Sequence, residues 1–473
     1  MNRQTMNHLP SRLVICFTLA LLCTTSWNTI AAPKNVILII GDGFDDQHVT
    51  MGRNYLTGMS GTLILDGLPF RGAVQVETLS ASGEPEYVAD SANTATAIAT
   101  GRITSVGRVG TDIADEDLPT IAERAIGAGL RVGLVTTSSI TDATPASFLA
   151  HVSSRSCEGP EEILGSTYYG LPQPVCPQDA KQNNGPGSII EQLFSSKAHI
   201  LFGGGQKFLN QIMASGESIR SLAEKNGFRV ITDRDELSEI QTDQAIIGLF
   251  DTENLEVKWR GSDGRRAAPT ETSWLHSLSD FLGEATPPEI MECEPNPAFA
   301  ATPELASMTA TALRHLSASN ESGFFLMVES ASIDKQSHKR NPCGSLGEIA
   351  QLEEVLALSL EFAGQHNDTL VMVTADHAQA AQILPEPSHY SDYPVPIYSP
   401  GHTARVRTRE GSVMRINYAT NNGFSEEHTG ANVPLFANLS DPKLLKPFMK
   451  QRDLYHAMMT FLGLNSGDNE LKD

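Results

Sequence analysis

The chain has 473 residues, with 34 Lys and Arg against 56 Asp and Glu, for a formal charge of -22 and a pI near 5.0. This balance excludes a nucleic-acid scaffold, whose affinity comes from clustered cations. A composition that is 40% hydrophobic and 19% charged excludes a disordered or fibrous chain.

In chain order, Arg3 and Arg12 precede an apolar run over 13–22, and Thr29, Ile30 and Ala31 place small residues at the -3 and -1 positions of a cleavage site. Residues 1–31 therefore predict a signal peptide, because the run is too short to span a bilayer. No later stretch approaches the ~20 apolar residues of a transmembrane helix. The expected product is periplasmic or secreted, without stable membrane association, and forms a single domain over 32–473. Its four cysteines, Cys157, Cys176, Cys293 and Cys343, read as two disulfides. Proximity favours Cys157 with Cys176 and Cys293 with Cys343. The rival, a four-cysteine zinc site, lacks any short C-x-x-C pair.

Short apolar runs at 36–40, 131–137, 198–202, 324–328, 369–374 and 433–436 predict strands. Helical patterns fall at 91–100, 118–127, 188–195, 303–316, 347–362 and 452–462. This alternation predicts an α/β fold with a mostly parallel central sheet flanked by helices on both faces. Three stretches rich in Pro, Gly, Asn and Ser, near 157–186, 258–303 and 380–428, read as loop insertions.

Ligands of such folds collect beyond the carboxyl ends of the strands, and acidic residues stand there. Asp42 follows 36–40 between two glycines, Glu329 ends 324–328, and Asp376-His377 follows 369–374. A turn role explains any one of them; three together point to a polynuclear metal site. Asp334 and His338, four apart, share a face if their segment is helical. A further histidine ligand is either His428 or His402. Ser91 would open a helix of small uncharged residues whose N-terminus favours an anion. A bare N-cap is the commoner use of such a serine, and its hydroxyl is a poor nucleophile without a base or a metal.

The stretches 90–96, 141–146, 151–155, 329–336, 374–378 and 428–430 together resemble the alkaline phosphatase family, in particular its bacterial periplasmic members. The resemblance runs from about Asn35 to Leu464. It implies two zinc and one magnesium ions per chain. One zinc would be held by Asp334, His338 and His428, the other by Asp42, Asp376 and His377, and magnesium by Asp42, Thr144 and Glu329. Ser91 would be the nucleophile, Arg155 the phosphate clamp and Asp90 its orienter. Asp142 and Lys335 resemble the magnesium-dependent bacterial type. Gln379 stands where close bacterial relatives carry a histidine that supports a zinc carboxylate, which leaves the tuning of that zinc open. The implied disulfides agree with proximity, and the family is usually homodimeric. The expected activity is hydrolysis of small-molecule phosphate monoesters through a phosphoserine. The rivals are a phosphodiesterase or sulfatase of the same superfamily, and a non-catalytic phosphate- or metal-binding protein.

Overall fold

A ten-stranded sheet organises the computed structural model, which describes residues 34–168 and 170–464. The leader predicted over 1–31 lies outside the described residues. The strands of this sheet are β1 (Lys34–Gly41), β2 (Phe70–Gln75), β3 (Arg131–Ser139), β4 (Ile200–Gly204), β5 (Arg229–Ile231), β6 (Ile246–Leu249), β7 (Gly323–Ser330), β8 (Thr369–Thr374), β9 (Val433–Ala437) and β10 (Phe448–Lys450). Their spatial order is β10-β2-β9-β8-β1-β7-β3-β4-β6-β5.

Val36 to Ile40 are all fully buried. Successive strand side chains point to opposite faces, so both faces of β1 are covered. The helices that flank the sheet and build the site are α1 (Asp46–Thr57), α2 (Ser91–Thr100), α3 (Ile121–Gly127), α4 (Ile189–Ser195), α5 (Leu305–Ser317), α6 (Ser332–His338), α7 (Pro342–Gln365) and α8 (Gln451–Leu462). α7 packs on β1, β7 and β8 and against α1, α5 and α6, while α8 packs on β1 and α2. Small side chains let α2 sink into the protein, and every one of its residues is buried.

The run at 433–436 forms a strand as expected, β9, which lies antiparallel to both β2 and β8 within the mostly parallel sheet. The structure corrects one expectation: the insertions near 258–303 and 380–428 are more than loops. Their strands His402–Arg407 and Val413–Tyr418 pair antiparallel, and Gln382–Leu384, Ala268–Pro269 and Ile290–Met291 complete a second sheet. Its core is a small cluster of Met51, Met291, Ala404, Val406, Ile416 and Tyr418.

Both expected disulfides are present, Cys157–Cys176 and Cys293–Cys343. The second joins the 258–303 insertion to the first turn of α7 and closes a separation of 50 residues. Cross-linking a loop of that length removes denatured-state entropy equivalent to about 2–4 kcal/mol. Cys293→Ala with Cys343→Ala should therefore lower the unfolding free energy by that amount in urea titrations. An unchanged midpoint would contradict the expectation.

Candidate active site

The three central strands β8, β1 and β7 end side by side. Ile40 of β1 lies opposite Thr374 on one side and Glu329 on the other. Asp42, one residue past β1, Asp376, two past β8, and Glu329, near the end of β7, are thus delivered to one edge by register alone. All three are buried. Gly43 completes the turn at φ +70°, where a side chain is strained, and a Cβ there would lie 3.1 Å from the Cβ atoms of both Asp334 and Gln379. Its N–H donates to Asp376 Oδ1 at 3.1 Å.

Helix α6 confirms the four-residue spacing, with His338 Nε2 3.3 Å from Asp334 Oδ2. His428 joins them, its Nε2 lying 3.4 Å from Asp334 Oδ1 and 3.1 Å from His338 Nε2. His402 is elsewhere, opening a strand of the second sheet and paired with Tyr418 across the ladder. His377 Nε2 lies 3.5 Å from Asp42 Oδ1 and from Asp376 Oδ2. The His377 and His428 rings stack at 3.6 Å, so the two groups adjoin. Ligand atoms of Asp42, Asp376 and His377 lie within 4.8 Å of one another, as do those of Asp334, His377 and His428.

The donor chemistry fits cations. A carbonyl can only accept, so His338 Nδ1–H donates to Glu426 O at 2.5 Å and His428 Nδ1–H donates to Ala89 O at 2.8 Å. The Nε2 atoms of both rings then face each other, an opposition that needs a proton or a cation between them. Asp42 Oδ1, Asp376 Oδ2 and Thr144 Oγ1 are buried without a hydrogen-bond partner, and such orphans call for a ligand. Burial, then Asp334, Asp376 and Glu329, push the Asp42 carboxyl well up. Burial, then Asp142, pushes Glu329 up to about 7. Burial also raises Asp334, but His338 and His428 outweigh it and hold that carboxyl well below its usual range. Burial lowers His377 to about 4, keeping it neutral as a metal ligand must be.

Ser91 is the first helical residue of α2, while the N-cap is Asp90. Ser91 Oγ lies 3.2 Å from His377 Nε2. Asp90 accepts from Asn93 N with one oxygen and lies 3.3 Å from Arg155 Nη1 with the other. Arg155 Nη2 donates to Asp142 Oδ1 at 2.8 Å, and Asp142 Oδ2 also accepts from Lys335 Nζ. Burial would raise the Asp142 carboxyl, but Lys335 and Arg155 pull it far below the usual value. Gln379 Nε2 donates to Asp334 Oδ1 at 2.5 Å, and Gln379 lies opposite His428 across a short ladder.

Several supporting groups escaped the sequence reading. Thr136 and Ser138 both donate to Glu329 Oε2. His48, fully buried, bridges Asp45 at 2.9 Å and Ser337 at 3.0 Å, tying the start of α1 to α6. Arg340 Nε pairs with buried Glu426 at 2.5 Å. None of these lies in a local motif, although Ser337 and Arg340 flank His338 and Glu426 stands two residues before His428.

The alkaline phosphatase family model matches residues 33–425, most of the chain. The chain belongs to the alkaline phosphatase family. It is 38% identical over 441 residues to alkaline phosphatase of Escherichia coli K12, covering 91% of this chain and 86% of that protein. It is 35% identical to streptomycin-6-phosphate phosphatase of Streptomyces griseus, covering 96% of both. Among solved structures, Thermus thermophilus alkaline phosphatase shares the fold with a TM-score of 0.64 at 19% identity, covering 92% of this chain and 93% of that one. The protein is a phosphomonoesterase of this metal-dependent family.

Proposed function

We propose that the protein hydrolyses small-molecule phosphate monoesters through a phosphoserine at Ser91. One zinc would be held by Asp334, His338 and His428, a second by Asp42, Asp376 and His377, and magnesium by Asp42, Thr144 and Glu329. Bound there, the cations would supply Lewis-acid charge that favours the serine alkoxide and offsets charge on the transferring phosphoryl oxygens. The carrying observation is Ser91 Oγ itself, at the N-terminus of a buried ten-residue helix and 3.2 Å from His377 Nε2, where the two ligand groups meet.

The chain's own groups perform the rest. Arg155, fixed by Asp90 and Asp142, presents its planar fork to two phosphoryl oxygens. The N-terminus of α2 adds its dipole toward the same anion. Ser91 Oγ attacks phosphorus in line, the phosphorus–oxygen bond to the alcohol breaks, and the alcohol leaves with a proton. Water then cleaves phosphoserine, returning the serine hydroxyl and releasing inorganic phosphate. Only the phosphoryl group is gripped, which supports broad alcohol specificity.

Residues 1–31 act as a signal peptide in this reading, 32–473 form the single catalytic domain, and the product is a periplasmic or secreted homodimer. Among the described residues no helix is long and apolar enough to cross a membrane. Metal analysis with aryl-phosphate turnover before and after chelation tests the proposal. Two zinc and one magnesium ions per chain are expected, with activity lost on chelation and restored by both metals. Full turnover by metal-free protein would overturn it.

A further inference from the structure

The second sheet bears a cavity of about 670 Å³ that touches none of the residues proposed for phosphoryl transfer. Phe281, Tyr393 and Tyr398 wall it, and Arg415 enters from the strand Val413–Tyr418. Arg415 is only 7% exposed. Among the described residues its side chain has no hydrogen-bond or ion-pair partner, and its Nε is buried without an acceptor.

A guanidinium cannot shed its proton to escape this position, and a charge held at a mostly buried position without a partner is costly. The neighbouring charges do not relieve it. Arg405 lies directly opposite across the ladder, where like charges destabilise a sheet. Glu386, which also lines the cavity, is engaged by Arg405 Nη2 at 2.8 Å. Glu284 lines it too but is exposed to solvent. Thr270 Oγ1, on the same wall, is a second buried polar atom without a partner. An arginine side chain without a partner on the wall of a roomy aromatic cavity is unfavourable for the sheet alone and favourable for a ligand.

We propose that this cavity is a second ligand site, separate from the phosphatase centre, for a small oxyanion carried on an aromatic body. The Arg415 Nη atoms would take two oxygens of a carboxylate or phosphate, and Tyr393, Tyr398 and Phe281 would pack on the flat body. An aryl carboxylate and an aryl phosphate share this chemistry.

Calorimetric titration of the metal-loaded full chain with benzoate and with uncharged benzamide tests it. Benzoate should saturate with one site per chain, and benzamide should bind at least about tenfold more weakly, as expected when a charge-assisted pair is lost. Arg415→Met should abolish benzoate binding while aryl-phosphate hydrolysis is unchanged. Phenylphosphonate separates the sources: a second binding event lost in Arg415→Met would identify phosphate esters as occupants, and its absence beside benzoate binding would identify carboxylates. Should Arg415→Met fail to fold, Tyr398→Ala with the benzoate–benzamide comparison on the unaltered chain still decides. No saturation by either anion, equal affinity for benzamide, or undiminished anion binding by Arg415→Met would each overturn the proposal.

Discussion

Ser91→Ala should abolish turnover of aryl phosphates, with kcat reduced by at least about a thousandfold, and should leave no radiolabelled phosphoserine after acid quenching. The substitution is clean because of where Ser91 sits. Asp90, not Ser91, caps α2, accepting from Asn93 N while Asn93 Oδ1 accepts from Asp90 N. Removing the hydroxyl deletes the contact with His377 Nε2 and leaves the cap intact. Alanine is also the best helix former, so the melting temperature should barely move. Asp90→Ala is the instructive contrast, since it forfeits a cap worth about 1 kcal/mol and one partner of Arg155. Label retained on Ser91→Ala would show that the nucleophile is another residue.

The sequence showed the catalytic edge more clearly than the periphery, for physical reasons. Strands buried on both faces are continuous apolar runs, so β1, β7 and β8 were legible, and their acidic ends with them. Helix α2 was legible from its run of small uncharged residues up to Gly101, which ends it in the left-handed region, although its cap is Asp90 and not Ser91. The second sheet was not. Its strands His402–Arg407 and Val413–Tyr418 alternate over six residues only and set Arg405 opposite Arg415, so they read as polar loop. Helix α1 was hidden by a mixed sequence with Gly52 at its middle, where a Cβ would strike the Ile349 side chain of α7 at 2.6 Å. The bonds that aim the site's side chains link residues far apart in the chain. Arg340 and Glu426, 86 positions apart, share no local spacing that could announce them.

That pair carries the second large effect: Arg340→Met should cost about 3–5 kcal/mol of stability, the usual penalty for leaving a buried charge without its partner. The Glu426 side chain is fully buried, and among the described residues it accepts, beyond Arg340, only from Thr420 N and Oγ1. Arg340 lies two residues past α6, and Glu426 two before His428. The ion pair therefore fastens the segment bearing His428 to the helix bearing Asp334 and His338. Glu426 reinforces the join through its backbone, accepting from His338 Nδ1 and donating to His338 O. Losing the clasp should loosen the angle between the two imidazoles, and disturbing partners that orient metal ligands typically weakens metal binding about 10- to 100-fold. Urea unfolding reads the first effect and competition with a zinc chelator the second. The double substitution Arg340→Met with Glu426→Met removes both charges, so stability should return toward the parent value while zinc affinity stays reduced, because the clasp itself is gone. Parental zinc affinity in the single variant would show that the pair stabilises the fold without positioning the ligands.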